Sequence, residues 1–294
     1  MARRVLVTGA TGTVGGALMK TLAPARDRGE IELLGASRSP RGDEALKASG
    51  FTPVRLDYDA PETLLPALQD VDGLFLATGY SVDMLVHSKR LLDAARSAGV
   101  GHIVHLGALA AQDTPHAHFA WHQMVEYTIE AMGFEWTHLR PNFFMDTVWT
   151  GLRRNPGRLV HFVGDRPVSW ISSDDMAAVA AEALRNPGKH AGKTYPLAVE
   201  CLRLQELAGL LSSVVGRAVN YSARPAADLL PMMVRNGAEP VYAASLASGL
   251  AAIEQGNLPL ADAVYDTVET VTGRPPVTWK TFAEARLAEL PALP

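Results

Sequence analysis

The chain has 294 residues, 48% of them apolar, and a formal net charge of −4 at neutral pH. That composition excludes a disordered chain, and the scattered basic residues leave no electrostatic footprint for nucleic acid. A single cysteine, Cys201, excludes an internal disulfide and a cysteine-based zinc site. A reducing cytoplasm is the compartment expected. No run approaches the ~20 apolar residues of a membrane span. The apolar run behind Arg3 and Arg4 breaks at Gly9 and is too short for a signal peptide.

Val5 to Val7 reads as a buried parallel strand. Gly9, Gly12 and Gly15 follow at intervals of three, and Ala17 to Leu22 begins a helical pattern. Strand, glycine turn and helix in that order make a phosphate site. Gly9 permits the tight turn, Gly12 lets a pyrophosphate approach the backbone, and Gly15 lets helix and strand pack closely. The helix N-terminus offers free N–H groups to the anion. Thr11, Thr13 and Val14 share the turn and are candidate cofactor contacts.

Further strands are predicted at Ile31–Ala36, Pro53–Leu56, Gly73–Ala77, His102–Leu106 and Glu135–Leu139, the last closed by Pro141. Helices are predicted from about Val82 to Ala98 and from His118 to Met132. This alternation predicts an α/β fold with a doubly wound parallel sheet of Rossmann type. Beyond it, Leu159–Val163, Val168–Ile171 and Gly192–Leu197 read as short strands. Ser172 or Ser173 caps a helix opening on Asp174 and Asp175, and acids in a first turn suit the helix dipole. Leu204–Val215, Pro240–Gln255 and Trp279–Leu290 read as helices. The expected division is a nucleotide-binding domain over 1–150 and a smaller C-terminal α+β substrate lobe over 151–294, partly interleaved with it.

The end of the second strand selects the cofactor. An acid there would bind the ribose 2′-OH and repel a 2′-phosphate. The chain instead has Ser37-Arg38-Ser39 and then Arg41. A planar guanidinium at Arg38 suits adenine and phosphate, so NADP(H) is expected over NAD(H). Asp57 ends the third strand, where it can meet the adenine edge or simply cap a loop. Thr78, Gly79 and Tyr80 follow the fourth strand at the edge where cofactors lie.

Thr8-Gly9-Ala10-Thr11-Gly12-Thr13-Val14-Gly15 resembles the fingerprint of atypical short-chain dehydrogenase/reductases. Trp121 to Glu126, Thr137 to Met145 and Asp175-Met176-Ala177 resemble the NmrA-like branch, over nearly the whole chain. That branch contains NAD(P)H-dependent quinone reductases, dye reductases, isoflavone-reductase relatives and redox-sensing regulators. The resemblance implies a Rossmann domain with a small substrate lobe. One departure matters. Ordinary short-chain reductases carry a Tyr-x-x-x-Lys pair after the fifth strand, and the matching helix here reads His118-Phe119-Ala120-Trp121-His122. The usual serine is replaced in Leu106-Gly107-Ala108.

His118, His122 and Glu126 share one helical stripe. No further motif completes a metal site there, and no metal is expected. His122 is a candidate ribose contact or a proton donor near neutral pH, with His118 beside it. Phe143, Phe144, Met145, Trp149 and Trp170 are expected to wall a slot for a planar aromatic substrate, with Met232 and Met233 adding a flexible side. The expected activity is therefore NAD(P)H-dependent reduction of a conjugated acceptor such as a quinone. A non-catalytic NADP(H) sensor and a Rossmann-fold isomerase or cyclase stay open. The chain is expected as a monomer or homodimer.

Overall fold

In the computed structural model, residues 2–79 and 81–291 are described. The first half alternates strands β1 (Arg3–Val7), β2 (Ile31–Ser37), β3 (Thr52–Arg55), β4 (Gly73–Ala77), β5 (His102–Leu106) and β6 (Glu135–Pro141) with helices. These are α1 (Thr13–Asp27), α2 (Pro40–Ala48), α3 (Leu64–Ala67), α4 (Met84–Ala98) and α5 (Ala117–Ala131). Then come β7 (Phe143–Phe144), α6 (Met145–Arg154), β8 (Arg158–His161), β9 (Val168–Ile171), α7 (Ser173–Arg185) and α8 (Pro187–His190). The chain closes with β10 (Lys193–Leu197), β11 (Glu200–Leu202), α9 (Leu204–Val215), β12 (Asn220–Ala223), α10 (Leu229–Arg235), α11 (Pro240–Gln255), α12 (Thr267–Thr272) and α13 (Trp279–Arg286).

The main sheet has seven strands in the order β10-β6-β5-β4-β1-β2-β3, and every pairing in it is parallel. Parallel strands need crossovers, so helices cover both faces. Val5, Val7, Phe75 and Val104 face α1 and α7 in one core, while Leu6, Leu74, Leu76 and Ile103 face α3, α4 and α5 in the other. Burying each such side chain contributes roughly 1.5–3 kcal/mol. The strand order reverses between β1 and β4, the topological switch point where ligands bind in such sheets.

The last strand of the sheet and the helix behind α1 come from beyond residue 150. β10 pairs with β6, from Lys193 beside Thr137 to Leu197 beside Pro141, and α7 packs along α1. The rest of the second half builds a lobe on a third core that includes Met145, Trp149, Trp170, Leu207, Trp279 and Phe282. Two small sheets, β11-β9-β7 and β12-β8, frame it.

Several boundaries differ from the sequence reading. α2 went unread although Ser39 caps it by accepting from the Gly42 amide and Pro40 fills its first turn. The strand expected at Leu159–Val163 runs over Arg158–His161, in register with β12. The final helix stops at Arg286 and tightens into a 3₁₀ turn over Leu287–Glu289.

Candidate active site

The glycine turn is built as a cradle. Gly9 sits at φ +63°, and its carbonyl accepts the Gly12 amide at 2.8 Å. A Cβ on Gly15 would stand 2.2 Å from that same carbonyl oxygen, so only glycine lets α1 start this close to β1. Gly12 is the N-cap, and no side chain caps the helix. The first-turn amides of Thr13 and Val14 are thus left for an anion at the positive end of the helix dipole. Thr11, Gly12 and Thr13 are exposed, while Val14 and Gly15 are buried. A dinucleotide pyrophosphate fits this arrangement of free amides. The hydroxyl of Thr8 ties the neighbouring strand ends, donating to the Phe75 carbonyl at 2.9 Å and accepting the Ala77 amide at 2.8 Å.

At the end of β2 the Ser37 hydroxyl donates to the Ser39 carbonyl at 3.0 Å and fixes the bend into α2. Arg38 and Arg41 stand exposed on that bend. Among the described residues neither pairs with a carboxylate. Asp57 is engaged locally: its carboxylate accepts the Asp59 amide at 3.2 Å and lies 3.4 Å from Arg55. This is the loop-cap arrangement. Thr78 and Gly79 follow β4 and line the cavity described next; Tyr80 lies outside the described residues.

Beyond the carboxyl ends of β4, β5 and β6 opens a cavity of about 470 Å³. Phe143, Phe144 and Trp170 line it as the sequence predicts, and so does Met233. Met145 and Trp149 correct the reading. Met145 is wholly buried in the lobe core and lines no part of the cavity. Trp149 sets its ring edge-on to Phe282 and borders a different, open cleft beside the glycine turn. Both sit on α6, which presents Thr147 and Val148 to the cavity instead. Met232 is also off the wall. Phe119, His161 and Tyr242 complete the wall instead. Tyr242 arrives from α11 and places its ring 5.7 Å from that of His118. Its helix is legible in sequence, but nothing local says which wall it reaches. Among the described residues, no Asp, Glu, Lys or Arg lines this cavity.

His118 and His122 line the cavity side by side, rings 5.2 Å apart. Burial pushes His118 down to about 4 and His122 down to about 3, and His161 down to about 4. These rings are neutral at pH 7. His122 is expected from sequence as a ribose contact or a proton donor near neutral pH; the cavity is too dry to hold an imidazolium, so a proton given from this position comes from the neutral ring. Glu126, third in the helical stripe, leaves it. It is 1% exposed, and Arg140 of β6 donates to both its oxygens, from Nε at 3.1 Å and from a terminal nitrogen at 2.5 Å. One donor atom each of His105, Glu126 and His138 lies within 4.8 Å of the others. The Arg140 guanidinium already neutralises Glu126 and opposes a dication there.

The residues 1–271 match the model of the NmrA-like family. The chain is 33% identical to the NAD(P)H azoreductase of Xenophilus azovorans, over 97% of this chain and 98% of that one. Its fold is similar to that of Citrobacter sp. triphenylmethane reductase complexed with NADP(H), with a TM-score of 0.79 and 27% identity over 96% of this chain and 99% of that one. The NADPH complex of an Escherichia coli NADPH-dependent quinone oxidoreductase is also similar, at TM-score 0.79 and 26% identity over 97% and 99% of the two chains. The fold and its relatives define an oxidoreductase on a Rossmann scaffold. Within that class, the chain belongs to the NmrA-like family. No helix among the described residues is long and apolar enough to cross a membrane.

Proposed function

We propose that this oxidoreductase uses NADPH to reduce uncharged, planar, conjugated acceptors, quinones above all, and that it does so without a Tyr-x-x-x-Lys acid pair. The observation that carries the reading is the cavity wall: mostly aromatic and aliphatic side chains, neutral histidines, a few uncharged polar groups such as Asn142 and Ser245, and, among the described residues, no charged one. Such a wall gives a flat neutral ring system apolar contact, and it charges a desolvation cost against a sulfonate, a phosphate or a cation. The azoreductase, dye-reductase and quinone-reductase relatives support the acceptor class.

The glycine turn is the site for the pyrophosphate, and Arg38, with no carboxylate beside it, is the contact for a 2′-phosphate. A nicotinamide bound there supplies a hydride. The chain's own part is placement. Thr78 and Gly79 border the cofactor side of the cavity, and Phe143, Phe144 and Trp170 hold the acceptor in line. A simple ketone would form a localised alkoxide and need a strong acid. The neutral imidazoles of His118 and His122 are poor acids, whereas a quinone spreads the arriving charge over its ring.

NADPH absorbance against a panel tests this. A neutral quinone is expected to be reduced, its sulfonated counterpart about tenfold less efficiently or worse, and a simple ketone not at all. Ketone turnover at quinone rates would overturn the reading. Tight NADPH binding with no turnover of any acceptor would overturn it in favour of a sensor.

A further inference from the structure

Behind the cavity wall a row of imidazoles runs to the surface. His122 lines the cavity, while its Nδ1 is buried and has no hydrogen-bond partner among the described residues. The ring of His105 lies 5.9 Å away. His105 is 0% exposed, and neither of its nitrogens has a hydrogen-bond partner. His138 follows, its ring 5.6 Å from that of His105. The β5–β6 register places these two residues directly opposite each other. The Nδ1 of His138 is again buried and unpartnered, but its Nε2 lies 3.2 Å from Glu130 Oε1. Glu130 is exposed on the outer side of α5.

A neutral imidazole carries one donor and one acceptor. Leaving a buried polar atom unpaired costs about 1–3 kcal/mol, so a leucine in place of His105 would pack at less cost. The space between His105, His138 and Glu126 is the size of a water. For three atoms that lie within 4.8 Å of one another there is always a point no more than about 2.8 Å from each. One water there would bond His105, His138 and Glu126 together, a normal complement for a buried site.

We propose that His105 and His138 form a proton relay, from Glu130 at the surface to His122 in the cavity. The inference rests on the reductase reading. When a quinone has taken a hydride, the negative charge is that of a phenolate, shared between a quinone oxygen and the ring. An O–H bond forms there as the Nε2–H bond of His122 breaks. His122 takes a proton at Nδ1 from His105, His105 takes one from His138 across the water, and Glu130 passes one in from bulk solvent. The acceptor ends with two electrons and two protons: the hydride brings both electrons and one proton, the row delivers the other proton from water, and the row ends uncharged. Burial holds all three rings below the usual histidine range, and Arg140 beside them works the same way for His105 and His138. They therefore move a proton by exchanging tautomers, without storing an imidazolium. Around the row stand Arg140 from β6 and Glu126 and Glu130 from α5, the first two neutralising each other.

Two variants test it. His105→Phe fills the same space without touching the cavity wall, and Glu130→Gln changes only an exposed side chain. In His105→Phe, kcat for quinone reduction is expected to fall about tenfold to a hundredfold, with NADPH affinity unchanged. The solvent isotope effect should change with it, from a curved proton inventory in the parent to a linear one. In the cofactor-free protein, NMR of ¹⁵N-histidine should show the His138 ring proton exchanging with D₂O about tenfold more slowly in Glu130→Gln. A parent that reduces quinones, with kcat and isotope effect the same in both variants, overturns the relay and leaves the reductase standing. A parent that oxidises no NADPH removes the reductase reading. In that case, ring exchange unaffected by Glu130→Gln overturns the relay on its own.

Discussion

Asp175, buried near the start of α7, accepts the backbone amide of Val277 at 2.8 Å across 102 residues of sequence. Its other oxygen lies 2.9 Å from the Arg274 guanidinium. From sequence this aspartate is expected in the first turn of a helix, in a stretch that resembles the NmrA-like branch. It does lie in the first turn, where its amide is capped by the Ser172 hydroxyl at 3.0 Å. The carboxylate, however, clamps the C-terminal segment onto the nucleotide-binding sheet. Asp175→Ala takes the carboxylate from the half-buried Val277 amide and from Arg274, which among the described residues keeps only its bond to the Asp174 carbonyl, and a loss of about 1–3 kcal/mol is expected. Urea unfolding of the variant against the parent measures it, and an effect below ~0.5 kcal/mol would show that the clamp holds nothing.

Arg38→Ala is expected to weaken NADPH about tenfold to a hundredfold, since a charge-assisted contact to phosphate contributes roughly 1.5–3 kcal/mol. NADH affinity should hardly move. Cofactor fluorescence titration separates the two, and an equal loss for both would remove Arg38 from the 2′-phosphate.

The glycine turn divides its work between two positions. A side chain at Gly12 points to the open side of the turn, its nearest neighbour the Gly9 carbonyl oxygen at 3.1 Å. Gly12→Val should therefore keep the fold and lose the cofactor. Gly15→Ala meets backbone at 2.2 Å, so it should lose stability and cofactor together. Melting temperature and NADPH titration, measured on both variants, distinguish these outcomes. Unimpaired NADPH binding by folded Gly12→Val would place the phosphate site elsewhere.

The buried histidines set an acid limit. His122 and His138 are pushed down to about 3, and His105 is lowered too. An unfolded histidine titrates near 6.5, so the unfolded chain takes up these protons first. Their contribution to stability is complete above about pH 6.5 and drains as pH falls toward the folded values. Each ring removes about 1.4 kcal/mol per pH unit over that window. Urea midpoints should fall steeply between pH 6.5 and 4.5, and less steeply in His105→Phe. Equal slopes in the two proteins would mean that His105 is not held neutral by the fold.

Glu126→Gln is expected to cost about 3–5 kcal/mol, because it strands the Arg140 guanidinium beside two imidazoles. Removing both charges, as in the pair Glu126→Gln with Arg140→Met, should recover part of that loss. A double variant no more stable than Glu126→Gln alone would mean the penalty is not electrostatic.

The nucleotide half was legible because its signals are local. Gly9, Gly12 and Gly15 have spacings that only one turn uses, and the apolar runs of the strands are short and sharply bounded. The cavity was half legible. Phe143 and Phe144 directly follow β6, so chain position alone puts them at the sheet edge. Met145 and Trp149 are one helix further on, and the side of α6 that meets the core depends on how the lobe packs. Tyr242 and His161 reach the wall from distant elements, and no local pattern reports that. The row of His122, His105 and His138 was hidden in the same way. It needs the β5–β6 register, which puts residues of two separate strands opposite each other.

The late return of β10 and α7 to the main sheet also governs how the chain can be made. A nascent chain of 150 residues has every residue of the glycine turn but lacks both the strand that covers β6 and the helix that covers α1. The apolar side of α1, with Leu18, Met19 and Leu22 all at 0–1% exposure in the finished protein, has the sheet beside it but lacks its α7 cover until some 35 further residues emerge. Nucleotide affinity should therefore appear only after Leu197 has left the ribosome. A split of this protein into separately expressed halves would have to be placed after β10, not at the middle of the sequence.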